Sequence, residues 1–136
     1  MTTASRMTFA GLLGLLAVGT VQADIAVVVN PKSLVSSLSA NQVGEAYIGR
    51  VGRYHLVNLA ESSPLRAGFF SKTTHKDAVQ MKAVWAKLTF TGKALPPAEA
   101  AGAAEVKKIV AADEKALGYI DKKDVDDWVK IVLLLP

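Results

Sequence analysis

The residue types that could bind or transform a ligand are concentrated in one short segment, Glu61 to Arg66. Ser63 followed by Pro64 predicts the N-cap and the first turn of a helix. A helix start offers unpaired N–H groups and partial positive charge, a serine hydroxyl donates as well, and Arg66 adds a fork of donors one turn further on. Because such groups together favour an oxyanion, this segment is the candidate anion site, with Ser62, Ser63 and Arg66 as its ligands.

The same segment has a simpler interpretation. Ser63 can serve only as a helix cap while Arg66 lies in water, and most Ser-Pro helix starts do no more than this. Taken alone, the local pattern favours the simpler interpretation.

Other kinds of catalytic or metal site lack the residues they need. The only histidines, His55 and His75, stand twenty residues apart, and the sequence has no cysteine to join them in a metal site. There is no G-x-S-x-G elbow, and neither histidine has an evident place in a triad. The aspartates between Asp121 and Asp127 lack the spacing and the glycine of a calcium loop. We therefore expect no enzymatic activity, no metal and no cofactor.

Strand and helix patterns alternate along the chain and must position the candidate site. Apolar runs predict strands over residues 25–29, 55–59, 117–120 and 129–135. Helices are predicted from Ser39 to near Gly49, from Ser63 through Phe70, over residues 76–90 and over residues 98–112. In the third of these, Val79, Ala83, Ala86 and Phe90 form the predicted apolar face. Such alternation argues for an α/β layered domain with helices packed on the sheet.

Residues 1–23 have the three parts of a cleavable signal peptide. A basic start at Arg6 precedes an apolar run over residues 7–19, and small residues lead to a cleavage point after Ala23. The run is shorter than the roughly 20 residues that a membrane-spanning helix needs. We expect export, followed by a single domain over residues 24–136 with no membrane insertion after cleavage.

The charge of the chain argues against nucleic acid as a partner. The formal net charge is +4, and loss of the signal peptide would discard Arg6 and lower it by one. A nucleic-acid surface requires a basic run or an interleaving of aromatic and basic residues, and the sequence has neither. Diffuse attraction of small anions is the remaining effect of this charge.

Several stretches together, in order and spacing, resemble one family across most of the predicted mature chain. They are Val29-Asn30-Pro31, Leu38-Ser39 with Gln42, Tyr47-Ile48-Gly49-Arg50, Glu61-Ser62-Ser63-Pro64-Leu65-Arg66 with Phe69, Trp85 with Phe90-Thr91-Gly92, Pro96-Pro97, and Ala116-Leu117-Gly118-Tyr119-Ile120. This set resembles the periplasmic phosphate-binding proteins of ABC importers, in particular their small single-lobe branch. The resemblance implies one lobe of a type II periplasmic binding protein fold, an α/β domain with a mixed sheet flanked by helices.

The resemblance also bears on the candidate site. In that family the phosphate rests on a D-G-S-G-T turn that opens a helix, and Ser63 falls on the motif serine. Ser62, Pro64 and Leu65 replace the two glycines and the threonine, so that one N–H and one hydroxyl are missing. Arg66 supplies charge in their place.

The resemblance implies a non-catalytic periplasmic substrate-binding-like protein that takes phosphate or a similar oxyanion for ABC-type transport or sensing. The alternative is a protein-interaction or accessory module whose anion site has decayed. Because the predicted mature chain has room for only one lobe, the expected partners are a membrane transporter or sensor, or a second lobe supplied by another chain.

Overall fold

The computed structural model describes residues 24–136, and the predicted signal peptide over residues 1–23 lies outside them. Within this range five strands form a sheet in the order β3-β2-β4-β1-β5. Their bounds are β1 (Ile25–Val29), β2 (His55–Leu59), β3 (Ala98–Ala100), β4 (Ala116–Asp121) and β5 (Lys130–Leu135). The four strands predicted from apolar runs are confirmed to within one residue at each end.

The sheet is mixed. Strands β2, β3 and β4 run parallel, whereas β1 lies antiparallel between β4 and β5. Every residue of β1 is buried, as its continuous apolar run predicted for a strand covered on both faces.

Four α-helices pack around the sheet in the described residues, and three of them begin at the residue types that predict helix starts. They are α1 (Ala40–Tyr47), α2 (Pro64–Thr74), α3 (Ala78–Phe90) and α4 (Ala103–Ala112). Ser39 caps α1 in a capping box with Gln42, and Ser63 caps α2 with Pro64 in the first turn. A capping box at Asp77 starts α3 two residues later than predicted.

Two predictions about the second half of the chain are wrong. Residues 98–112 do not form one helix, because Ala98 to Ala100 pair with the open edge of β2, and this non-local ladder overrides the helix propensity of alanine. The predicted apolar face of α3 is also wrong, since the Val79 and Phe90 side chains are 78% and 93% exposed. Met81 is instead the buried residue of this helix.

An aromatic centre, formed by Tyr47, Phe69 and Tyr119, joins α1, α2 and β4. The Phe69 and Tyr119 rings stack with centroids 3.7 Å apart, and the Tyr47 ring meets Phe69 edge-on at 4.8 Å. The Tyr47 hydroxyl donates to the Val57 carbonyl at 2.6 Å. Burial raises the pKa of Tyr47 well above its ordinary value, so this donor stays protonated. The aromatic centre therefore holds α2 against the sheet.

The contact between α1 and α2 depends on a glycine. A Cβ atom placed on Gly44 would lie 2.0 Å from the backbone oxygen of Thr73, so the two helix backbones approach more closely than any other residue permits. This approach fixes the body of α2, and with it the turn that precedes the helix.

None of the helices described is long and apolar enough to cross a membrane.

Candidate functional site

The candidate segment lies at the carboxyl edge of the parallel strands. Strand β2 ends at Leu59 and leads through a short turn into α2, while β3 ends at Ala100 and leads into α4. Because parallel strands end at the same edge of a sheet, the first turns of both helices lie along it. Ligand sites of open α/β sheets are found at this kind of edge.

Three hydrogen bonds shape the turn before α2. The Ser63 N–H donates to the Ala60 carbonyl at 2.9 Å, and the Ser63 hydroxyl oxygen accepts from the Leu65 N–H at 3.3 Å. The Arg66 N–H donates to the Ser63 carbonyl, also at 3.3 Å. The capping role of Ser63 is thus confirmed, and the helix start keeps only long, weak bonds that an incoming acceptor could replace.

Arg66 does not lie in water. Its side chain is 22% exposed, and Nη1 donates both to the Leu59 carbonyl at 2.8 Å and to Glu99 Oε1 at 3.1 Å. Its guanidinium carbon lies 5.8 Å from the centre of the Phe70 ring. In the described part of the chain, Nε and Nη2 of Arg66 have no hydrogen-bond partner, so three N–H donors remain available.

Two concavities meet at Ser63. The helix-start cleft, of about 530 Å³, lies between the starts of α2 and α4; its lining includes Ser63, Pro64, Lys72, Gly102, Ala103, Asp121 and Lys123. The α2–α3 groove, of about 840 Å³, lies on the other side; its lining includes Asn58, Ser63, Arg66, Phe70, Met81 and Trp85.

The structure brings the three predicted site residues together only in part. Ser63 borders both concavities, while Arg66 lines the groove. Ser62 is exposed in the turn and lines neither concavity as described. Ser63 and Arg66 therefore both line the groove side of the turn.

Two polar residues of the site were missed from the sequence. The incorrect helix prediction over residues 98–112 conceals the strand position of Glu99, although the preceding prolines favour an extended chain at this point. Asn58 lies within the predicted strand over residues 55–59. No pattern within a strand of five residues marks its amide as facing a cavity.

A tyrosine of β4 holds the Asn58 side chain in place. The Leu59 N–H donates to the Tyr119 hydroxyl at 3.3 Å, and this hydroxyl donates to Asn58 Oδ1 at 2.5 Å. Burial raises the pKa of Tyr119 above its ordinary value, so the hydroxyl keeps the proton that it donates. The end of β2 is thus fixed beside Arg66.

Among the residues that the structure describes, the histidines and carboxylates do not form a metal site or a catalytic pair here. Within residues 24–136, no cluster of three or more His, Cys, Asp or Glu side chains could hold a metal ion. His55 and Asp113 form a pair, with Nδ1 and Oδ2 2.7 Å apart, but they lie where β2 and β4 begin, at the opposite edge of the sheet.

Comparison with known proteins identifies the fold. No protein-family profile and no curated protein matches the chain. Among solved structures, it is similar to a phosphate ABC transporter substrate-binding protein of Clostridium perfringens with bound phosphate, at 21% identity and a TM-score of 0.65, over 81% of this chain and 45% of that one. It is also similar to an ABC-type phosphate transport receptor of Vibrio cholerae, at 18% identity and a TM-score of 0.56, over 81% and 46% of the two chains.

The chain therefore has the fold of a single lobe of a periplasmic binding protein, as predicted, and spans less than half the length of the two proteins. Both are named as substrate-binding proteins or receptors rather than as enzymes.

Proposed function

We propose that this chain is a non-catalytic, single-lobe binding module that takes phosphate or a similar oxyanion at Ser62, Ser63 and Arg66. The observation that carries the proposal is the position of the turn. It opens a helix at the carboxyl edge of parallel strands, in a fold shared with a protein crystallised with phosphate.

The three residues supply hydroxyl donors and positive charge to the proposed site. The Ser62 and Ser63 hydroxyls donate to the anion, and Arg66 supplies the positive charge through Nε and Nη2. The bond from Nη1 to the Leu59 carbonyl keeps the guanidinium beside the turn. Pro64 contributes no N–H, so the site has fewer backbone donors than a glycine-rich turn.

Glu99 competes with the anion. Its carboxylate pairs with Arg66, but the Glu99 side chain is 61% exposed. An ion pair of this kind is worth about 0–1 kcal/mol, so a bound anion can outweigh it. Because the lobe is open, water also screens each charged hydrogen bond. We expect a dissociation constant near 1 mM, which corresponds to about 4 kcal/mol.

Calorimetric titration of the purified exported protein with phosphate tests this proposal. The wild type should release or absorb heat that saturates in the millimolar range. Arg66→Ala should abolish the heat, whereas Arg53→Ala, in the exposed loop before β2, should not. Glu99→Gln should tighten binding about two- to fivefold, while Glu114→Gln, at an exposed position, should leave it unchanged. Absence of heat at millimolar phosphate, or equal heat after Arg66→Ala, would refute the anion site.

A second candidate function is that of a protein-interaction or accessory module without an anion site. It is favoured by the hydrogen bonds already made at the turn and by the Arg66–Glu99 pair. In this case a membrane transporter, a sensor or a second lobe from another chain binds the domain whether or not phosphate is present. Cross-linking in the periplasm, with and without phosphate, separates the two: a partner captured equally in both conditions supports the second candidate.

Export is part of the same proposal, because the binding proteins that the chain resembles act outside the cytoplasm. The mature protein recovered from the periplasm should begin at Asp24. N-terminal sequencing that finds Met1, or recovery only in the cytoplasm, would contradict the proposed signal peptide.

A further inference from the structure

The α2–α3 groove is apolar along most of its length. Phe70 of α2 and Met81 and Trp85 of α3 line it, and the exposed side chains of Val79 and Phe90 stand at its rim. The Trp85 indole is fixed by a hydrogen bond from Nε1 to the Tyr47 carbonyl at 2.8 Å. At about 840 Å³, the groove falls within the roughly 300–1,000 Å³ range of small-ligand sites.

One polar donor lies deep in the groove. Asn58 is only 6% exposed, and its Oδ1 is occupied by the Tyr119 hydroxyl. Across residues 24–136, the Nδ2 amide of Asn58 has no hydrogen-bond partner, yet no fully buried side-chain N or O atom is left unpaired. The Nδ2 amide must therefore reach solvent, and the groove that Asn58 lines is where it can do so.

Charge is distributed unevenly between the depth and the rim of the groove. Arg66, 22% exposed, stands near Asn58 with Nε and Nη2 available, so the less exposed groups are donors. At the rim, Glu61, Lys82 and Glu99 are all exposed, and Glu99 is already paired with Arg66. A buried donor favours an acceptor far more strongly than an exposed carboxylate repels it, because water screens the exposed charge.

We propose that the α2–α3 groove binds a small amphipathic carboxylate. Its carboxylate accepts hydrogen bonds from Asn58 Nδ2 and Arg66, and its apolar body lies against Phe70, Met81 and Trp85. This site does not depend on the proposed oxyanion function, because neither Ser62 nor the helix start takes part in it. Arg66 is the one residue that both sites use.

Fluorescence of Trp85 tests the groove directly. The sequence has two tryptophans, and Trp128 is 61% exposed outside the groove, so a Trp128→Phe protein reports on Trp85 alone. Octanoate, octylammonium and octanol, used below their micellar concentrations, present one alkyl chain with three different heads. We expect a saturable change in Trp85 emission, with octanoate binding at least about tenfold more tightly than octylammonium.

Two matched variants of α3 separate the groove from the rest of the helix surface. Ala86 lines the groove and Ala83 does not, and both are exposed. Ala86→Glu should abolish octanoate binding, and Ala83→Glu should leave it intact. Arg66→Met should remove the preference for octanoate over octanol while octanol still binds.

Several results would overturn the proposal: no saturable change with any of the three probes, equal octanoate binding by Ala86→Glu and Ala83→Glu, or preference for octylammonium. The outcome is separable from that of the phosphate titration. Octanoate binding without phosphate heat would leave the groove site standing and remove the oxyanion site, and the reverse result would do the opposite.

Discussion

The aromatic centre and the rim of the α2–α3 groove, formed by Val79 and Phe90, both carry large apolar side chains, but neighbouring elements cover only the first. Tyr47, Phe69 and Tyr119 are fully buried between α1, α2 and the sheet. In α3, by contrast, Met81 is the only buried residue and Phe90 is 93% exposed. Apolar composition is therefore not enough to decide which part of this chain forms the core.

The difference separates two roles. The aromatic centre positions the turn at Ser63, because it holds both the body of α2 and the end of β2. The groove rim adds little to stability, since Val79 and Phe90 are exposed to water, and the same exposure makes the rim accessible to a ligand. Substitutions in the aromatic centre should therefore lower stability, whereas substitutions at the rim should leave stability nearly unchanged.

The largest expected effect comes from removing an aromatic ring from each region. Phe69→Ala should lower the free energy of unfolding by about 3–5 kcal/mol, because it leaves a cavity between Tyr47 and Tyr119. Phe90→Ala should change it by less than about 0.5 kcal/mol, as for most surface substitutions. Urea unfolding of both variants measures the difference. Similar losses of stability would contradict the claim that only the aromatic centre belongs to the core.

A smaller effect is expected where α1 meets α2. Gly44→Ala should cost about 1–3 kcal/mol, because the added methyl group meets the rigid Thr73 backbone. Gly52→Ala is the matched control, since a Cβ there has no neighbour within 4 Å. Thermal unfolding should show a lower midpoint for the first variant alone. Equal midpoints would mean that the close approach of the helices does not stabilise α2.

The smallest effect is expected at the amino edge of the sheet, away from both regions. A hydrogen bond from His55 lowers the pKa of Asp113 below its ordinary value. A lowered carboxyl pKa adds stability above the unfolded pKa of about 4, and this stability is lost as the pH falls through the folded pKa.

The stability lost in Asp113→Asn should therefore be under about 1 kcal/mol near neutral pH, because the pair is exposed, and should shrink below about pH 4. Unfolding of the two proteins in urea at several pH values checks this. A stability difference between wild type and Asp113→Asn that grows as the pH falls would contradict this prediction.

Local signals made most of the fold predictable. Ser39 and Ser63 mark helix starts through bonds to their own first turns, and the apolar run over residues 25–29 identifies a strand that is covered on both faces. The secondary-structure predictions are wrong where pairing with a segment distant in the sequence decides the structure. Ala98 to Ala100 become a strand only because β2 has an open edge.

The candidate site was predictable to a similar extent. Ser63 and its position before α2 follow from the Ser-Pro sequence. The pairing of Arg66 with Glu99 joins residues far apart in the chain and depends on β3, which the sequence pattern concealed. The orientation of the Asn58 amide likewise depends on a hydrogen bond from Tyr119, in another strand. Such contacts appear only when the sheet is assembled.

The most direct test of the proposed function is the change in backbone amide NMR shifts during titration with phosphate. The largest shifts should fall on Ser62, Ser63, Leu65 and Arg66 and saturate together in the millimolar range, while exposed α3 amides such as that of Ala83 shift little. Shifts that fail to saturate, or that fall mainly on the lysines at positions 122 and 123, would contradict a phosphate site at the start of α2.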